Sequence, residues 1–378
     1  MPRIVIAVGI AGHPIAAAGN SWFFLQWVLG FQELGWEVWL VEALPSDKLI
    51  DDQWKSAVQG NSANERYWAT TLERFGLTKC ATLLIDGKAD NLEYARDFAA
   101  SADVFLNISG HFRSKALEFP RARKIYLDLD PAFTQIWVDT YQTDMNFAGH
   151  DLFFTVGSRL GKEGCRAPDL GMTWLHTYPV VVLAKWPCSD PDTFSRLTTV
   201  AHWQGYKWCE WQGEWYTGKS EQFTQYRDLP RMTDVPLEIA TEAGINRDEL
   251  APFREAGWNL VESKDICSDF GPYEAYIRGS AGEFSAAKGG YVKSQCGWFS
   301  DRSVCYLASG LPVVVESTGL EPDLPAQPGL HYFKTPEEAA AACNRVREDF
   351  PAQRRAARKL AEEVFASSVV IPKMLAKL

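Results

Sequence analysis

The sequence predicts an α/β protein: two doubly wound domains that face each other across a cleft. Three observations carry this. Short apolar runs alternate with longer helical segments through residues 1 to about 175, which is how parallel strands with crossover helices read. A second alternating series follows a proline-bounded stretch at 173–187. The chain has 378 residues, more than one hydrophobic core usually serves.

In the first half, "RIVIAVG" (3–9) is a continuous apolar run ending in glycine, as a buried parallel strand should be. A loop with Gly9, Gly12 and Gly19 follows, then a helix from about Ser21 to Leu34 that is apolar nearly all round and so must be covered on several faces. "WEVWLVE" (36–42) is the next strand. A polar helical stretch over about 51–75 leads to "TLLID" (82–86), "DVFLNIS" (103–109), "KIYLDLD" (124–130) and "DLFFTVG" (151–157). "TWLHTYPVVVLAKWP" (173–187) has neither period and is expected to be the connector.

The second half predicts strands at 196–203, 235–240, 258–263, 282–288, 312–317 and 330–334. Helices are expected near 220–227, 247–255, 272–279 and 300–309. Thr335, Pro336 and Glu338 open another over 335–350, as N-cap, N1 and N3. The tail, 352–378, is amphipathic. The expected units are 1–175, 176–350 and a helical tail, 351–378.

Composition narrows the function. Net charge is −10 with no dense Lys/Arg run, so a broad nucleic-acid surface is not expected, though a single nucleotide in a pocket is compatible. Eight cysteines are scattered with no CxxC pair and no adjacent histidine, which suits a reduced, cytoplasmic protein and offers no metal spacing. No apolar run is long enough to span a bilayer.

The stretch "GWFSDRSVCYLASGLPVVVESTG" (297–319) reads as a turn, a helix and a buried strand. Its helix begins with Ser300, Asp301, Arg302 and Ser303, more polar groups than one cap needs, beside free backbone N–H donors. From about 270 to 345 the chain resembles the donor half of GT-B glycosyltransferases, of the family 1 and family 4 kind. The residues that carry the likeness are Phe284 to Ala286, the loop 288–299, Ala308-Ser309-Gly310-Leu311-Pro312, Val313 to Val315 and Gly319. That resemblance implies two Rossmann-like domains, a nucleotide-sugar lying against the second, and a last helix crossing back to the first. Many retaining members carry Glu-x7-Glu across this region; the corresponding positions are Gly297 and Cys305, with Asp301 one turn earlier on the same face.

The donor-binding candidates are Lys288, Gly289, Ser300, Asp301, Arg302, Ser303, Glu316, Thr318 and Gly319. Lys288 closes a strand, Gly289 and Gly290 admit a close ligand, and Arg302 adds charge for a diphosphate. Glu283, inside a strand, needs a partner, with Arg278 the nearest in sequence. The loop "GIAGHPIAAAGN" lacks G-x-G-x-x-G, which argues against a dinucleotide. In inverting GT-B enzymes a histidine in this loop often acts as base, which the resemblance carries to His13. Asp128 and Asp130 share a strand face and can bind sugar hydroxyls, act as base, or cap the next helix. Asn20, His111, Arg113, Trp208 and Trp211 are acceptor-side candidates, the last two within a Trp-rich stretch that also holds Trp203, Tyr206, Trp215 and Tyr216.

The expected activity is transfer of a sugar from a nucleoside-diphosphate sugar, of UDP or dTDP type, to a small-molecule or glycan acceptor, with no metal and no other cofactor. A nucleotide-sugar epimerase and a non-catalytic nucleotide- or sugar-binding protein are the alternatives.

Overall fold

The computed structural model describes residues 1–189, 194–205 and 208–378. The first sheet contains β1 (Arg3–Ala7), β2 (Glu37–Leu44), β3 (Ala81–Ile85), β4 (Val104–Ile108), β5 (Arg123–Asp128), β6 (Leu152–Thr155) and β7 (Trp174–His176). Its order is 3-2-1-4-5-6-7 and its pairs are all parallel. β7 corrects one expectation: part of the presumed connector is a seventh strand, pairing Phe153 with Trp174 and Thr155 with His176. Three residues are too short to show a period of two.

Four helices cover this sheet: α1 (Ala18–Glu33), α2 (Ala63–Phe75), α3 (Leu92–Ser101) and α4 (Phe133–Tyr141). α1 buries Trp22, Phe24, Leu25, Trp27, Val28 and Phe31, so the helix that is apolar all round is enclosed all round. α2 starts later than its polar run suggests. The Ser62 hydroxyl accepts from the Glu65 N–H while Glu65 reaches back to the Ser62 N–H, and this reciprocal box sets the start.

The second sheet is built from β8 (Leu197–Val200), β11 (Leu237–Thr241), β12 (Asn259–Glu262), β13 (Gly282–Ser285), β14 (Val313–Glu316) and β15 (Leu330–Phe333), ordered 12-11-8-13-14-15 and parallel. Between β8 and β11 lie a hairpin, β9 (Cys209–Trp211) and β10 (Glu214–Tyr216), and α5 (Lys219–Thr224). The hairpin turn is Gln212-Gly213, both at positive φ (52° and 77°), the left-handed geometry a two-residue hairpin needs. The remaining helices are α6 (Arg247–Ala256), α7 (Ser263–Cys267), α8 (Phe270–Arg278), α9 (Gly289–Ser294), α10 (Asp301–Ala308), α11 (Pro336–Glu348), α12 (Phe350–Leu360) and α13 (Ser367–Leu375).

The carboxyl ends of the two sheets face each other. Gly157 bridges Trp298 through the backbone, Ser158 donates to Asp323 (2.9 Å), and Phe133 packs against Gly290. The tail returns to the first domain, where Ser367 Oγ donates to Glu33 (2.5 Å) and Ile371 lies against Gly30. No helix among the described residues is long and apolar enough to cross a membrane.

Candidate active site

The loop after β1 is shaped by Glu42, at the carboxyl end of β2. Its carboxylate accepts from the backbone N–H groups of Ile10, Ala11 and Gly12 at 2.7, 2.8 and 2.7 Å. Burial pushes its pKa up to about 7, against the pull of those three bonds. Asn64 donates to the Ala11 carbonyl at 2.7 Å and fixes the other side. An anion cradle that could have faced a phosphate is thus filled by the protein's own carboxylate. Sequence reading passed over Glu42; the available signal was an acid ending an otherwise apolar strand.

The loop so held presents His13. Its Nδ1 lies 3.3 Å from the Gly9 carbonyl, which can only accept, so the neutral ring bonds it as the Nδ1–H tautomer. Asn20 reaches the same carbonyl at 3.4 Å. His111 folds over Gly9, where even a methyl group would stand 3.1 Å from its Nε2. Desolvation, helped by His13 and Arg113, holds the His111 pKa down to about 4, with Asp130 opposing. The structure therefore gathers His13, Asn20 and His111 about one backbone turn. Arg113 is exposed and bound to Asp144 through its side chain (2.7 Å) and its carbonyl (2.6 Å).

The two aspartates part company. Asp128 is buried and accepts from Thr134 (2.7 Å), Gln135 (3.1 Å), Thr155 (2.9 Å) and the Asp130 N–H (3.1 Å). Burial raises its pKa to about 6. It ties β5, β6 and α4 together and has no path to a substrate, which corrects the expectation of a catalytic role. Asp130 instead projects into the gap. It accepts from Lys288 Nζ at 2.7 Å and from the Tyr291 hydroxyl, and so joins the two domains.

On the second domain, the expected phosphate cradle at the start of α10 is closed. Ser303 is fully buried, Ser300 caps the helix through the Arg302 N–H (3.2 Å), and the adjoining cavity of about 10 Å³ has room for roughly one water. Arg302 is also committed. Its guanidinium donates to Glu283 (2.7 Å), the Val200 carbonyl (2.7 Å) and Ser285 (2.8 Å). It braces β8 and β13 and neutralises a buried carboxylate; the partner of Glu283 is Arg302 rather than Arg278. Asp301 sits beside it, its pKa raised by burial.

Glu316 and Thr318 also face inward. Glu316 accepts from Gln222, Tyr226 (2.7 Å) and the Ala287 N–H (3.0 Å), and burial raises its pKa to about 7. Thr318 donates to the Trp298 carbonyl at 2.6 Å, and Gly319, at φ 88°, lies against Gln295. The N–H groups of Gly289 and Gly290 bond the carbonyls of Gly218 and Thr217 (3.1 and 3.0 Å). These glycines admit a neighbouring chain segment, not a ligand. In this conformation Gly289, Ser300, Arg302, Glu316, Thr318 and Gly319 are engaged within the protein, while the fully buried Ser303 hydroxyl has no partner among the described residues.

What the second domain offers the gap is a pair of ammonium groups. Lys288 stands at the end of the β13 loop, over the Phe133 ring (5.6 Å). Lys219 opens α5, and among the described residues its ammonium has no hydrogen bond or ion pair. Burial, with the positive charges of Arg302 and Lys288, lowers its pKa well below the ordinary lysine value, while Glu283 and Asp301 oppose this. Two cations and two carboxylates thus act on this buried ammonium. Sequence reading missed Lys219, because nothing in "TGKS" shows which way it points.

The aromatic stretch divides likewise. Trp203 and Tyr216 are core residues. Trp211 is half-buried and donates to Asp139 on α4 (2.8 Å). Trp208 and Trp215 are exposed, each 52%, and pack edge to face. Trp208 and Trp203 line a cavity of about 530 Å³ with Gln204, Glu221 and Glu249. Tyr206 lies outside the described residues.

No protein-family model matches the sequence, and no curated protein matches it. Solved structures do. An α-glucosyltransferase in complex with UDP and a 13-mer DNA is 12% identical, with a TM-score of 0.57 over 100% of this chain and 99% of that one. HepE of Anabaena, in complex with UDP-glucose, is 13% identical, with a TM-score of 0.54 over the whole of both chains. AviGT4, a glycosyltransferase involved in avilamycin A biosynthesis, is 12% identical, with a TM-score of 0.52 over 100% and 97%. The chain shares with these proteins the GT-B fold, two parallel-sheet α/β domains facing across a cleft.

Proposed function

We propose that this protein is a glycosyltransferase that moves a sugar from a nucleoside-diphosphate sugar, of UDP or dTDP type, to a hydroxyl of a small-molecule or glycan acceptor. The observation that carries the reading is the pair Lys219 and Lys288, set in the gap opposite His13, Asn20 and His111. Structural neighbours solved with UDP or UDP-glucose support it. Residues 1–175 form the acceptor side, 176–350 the donor side, and 351–378 the returning segment.

In the transfer, His13 Nε2 takes the proton of the acceptor hydroxyl. The acceptor oxygen forms a bond to the anomeric carbon as that carbon's bond to the diphosphate breaks, and the electron pair leaves on the phosphate oxygen. Lys219 and Lys288 neutralise that developing charge, the main electrostatic task of the step. Two ammonium groups can do this without a divalent cation. The acidic net charge, −10, disfavours a polyanionic acceptor. Eight free thiols suit a cytoplasmic setting.

A thermal-shift series with UDP, dTDP and GDP tests the donor assignment. A nucleotide at about 100 times its Kd stabilises the native state by about 2.7 kcal/mol, a rise of several degrees in Tm. Lys219→Ala with Lys288→Ala should abolish the rise. If none of the three nucleotides shifts the wild-type protein, the reading fails.

A further inference from the structure

We propose that Lys288 changes partners during the reaction: it holds Asp130 across the cleft until a nucleoside diphosphate takes its place. This rests on the donor reading above. Asp130 belongs to the first domain and Lys288 and Tyr291 to the second. Their three side chains meet, with Lys288 Nζ 2.7 Å from Asp130 Oδ1 and 3.0 Å from the Tyr291 hydroxyl. The Tyr291 hydroxyl donates to the same Asp130 oxygen.

The contact is half-buried, the two charged side chains being 22% and 24% exposed. It lies between the Phe133 and Tyr291 rings, 5.6 and 5.1 Å from the ammonium. In this state Asp130 supplies the negative charge that a donor's phosphate would supply. A diphosphate brings more charge than one carboxylate, and it gains Lys219 as well, an ammonium with no hydrogen bond or ion pair among the described residues. The exchange therefore favours the diphosphate.

Titration calorimetry of the full-length protein with UDP tests the exchange. Asp130→Asn removes the competitor and should tighten UDP binding by about fivefold, the scale of one such ion pair. Tyr291→Phe should move the same way by less, and Lys288→Ala should weaken binding strongly. Melting curves show whether each variant is folded, and Tyr291→Phe keeps the test alive should Asp130→Asn fail to fold. Wild type and Asp130→Asn binding UDP equally, or the variant more weakly, overturns the exchange while leaving the donor reading intact. No UDP binding by wild type, Asp130→Asn or Tyr291→Phe overturns both.

Discussion

At the level of single residues, the proposed acceptor side turns on the His13 imidazole, and the packing of the second domain on the Arg302 guanidinium. Because the Gly9 carbonyl can only accept, the neutral His13 ring bonds it through Nδ1–H, which leaves Nε2 as the accepting nitrogen. His13→Ala should lower kcat by about 10²- to 10⁴-fold, the usual worth of a positioned base, and leave Tm unchanged, since the side chain is exposed. A steady-state assay beside a melting curve checks this; full activity in the variant would remove His13 from the mechanism. Arg302 is the reverse case. Removing it strands the fully buried Glu283 carboxylate, so Arg302→Met should cost about 3–5 kcal/mol. The double variant Arg302→Met, Glu283→Leu should recover most of that, because a buried pair pays its own desolvation. Equal melting points for the single and double variants would show that the pair is not coupled.

Arg302 also marks where sequence reasoning stopped. Four polar residues at a helix start do suggest an anion, but hydroxyl and guanidinium donors serve a buried carboxylate equally well. The choice depended on Glu283, nineteen residues earlier in the chain and one strand away in space. Lys288 and Asp130 were legible singly, by their places at strand ends; that they touch was not, since 158 residues separate them.

Among the elements, the parallel strands were readable because burial on both faces leaves continuous apolar runs. The short pieces were not: β7, the β9–β10 hairpin and α9 span three to six residues, too few for a period to emerge. α9 carries a test of domain contact. Gly290 has no positive φ, so alanine there should ordinarily stabilise the helix by about 0.5–1 kcal/mol. A Cβ at this position would instead stand 2.4 Å from Phe133 Cζ, a fully buried ring of the other domain. Gly290→Ala should therefore lower Tm and weaken UDP binding, as Phe133 is displaced from beneath Lys288. Adding Phe133→Leu should restore part of both losses. A Gly290→Ala protein melting at or above wild type would mean that the two domains do not press together here.

For the molecule as a whole, the C-terminal helix decides whether the first domain can stand. α1 is apolar on every side, and the first sheet covers only one of them. α8 covers another, with Tyr273 against Gly19, and α13 a third, with Ile371 and Ser367 against Gly30. The backbone of the tail bonds there too, Val181 N–H to the Phe365 carbonyl and Ser367 N–H to the Val181 carbonyl, both at 2.9 Å. Val370, Ile371 and Met374 are buried in this contact, and each contributes about 1.5–3 kcal/mol. Even the lower figure approaches the whole stability of an ordinary domain, about 5–15 kcal/mol. A chain ending at Ala366 should therefore be recovered insoluble, or should melt at least about 10 °C lower. That loss should reach the proposed donor site, because α10 touches α1 through Cys305 and Gln26 (3.9 Å), carries the Arg302 that acts on Lys219, and packs on α12, which leads into the tail. Soluble yield, a melting curve and UDP titration of the truncated chain measure the three consequences. A soluble truncation that melts like the full chain and binds UDP as well would show that the two domains hold without the returning helix.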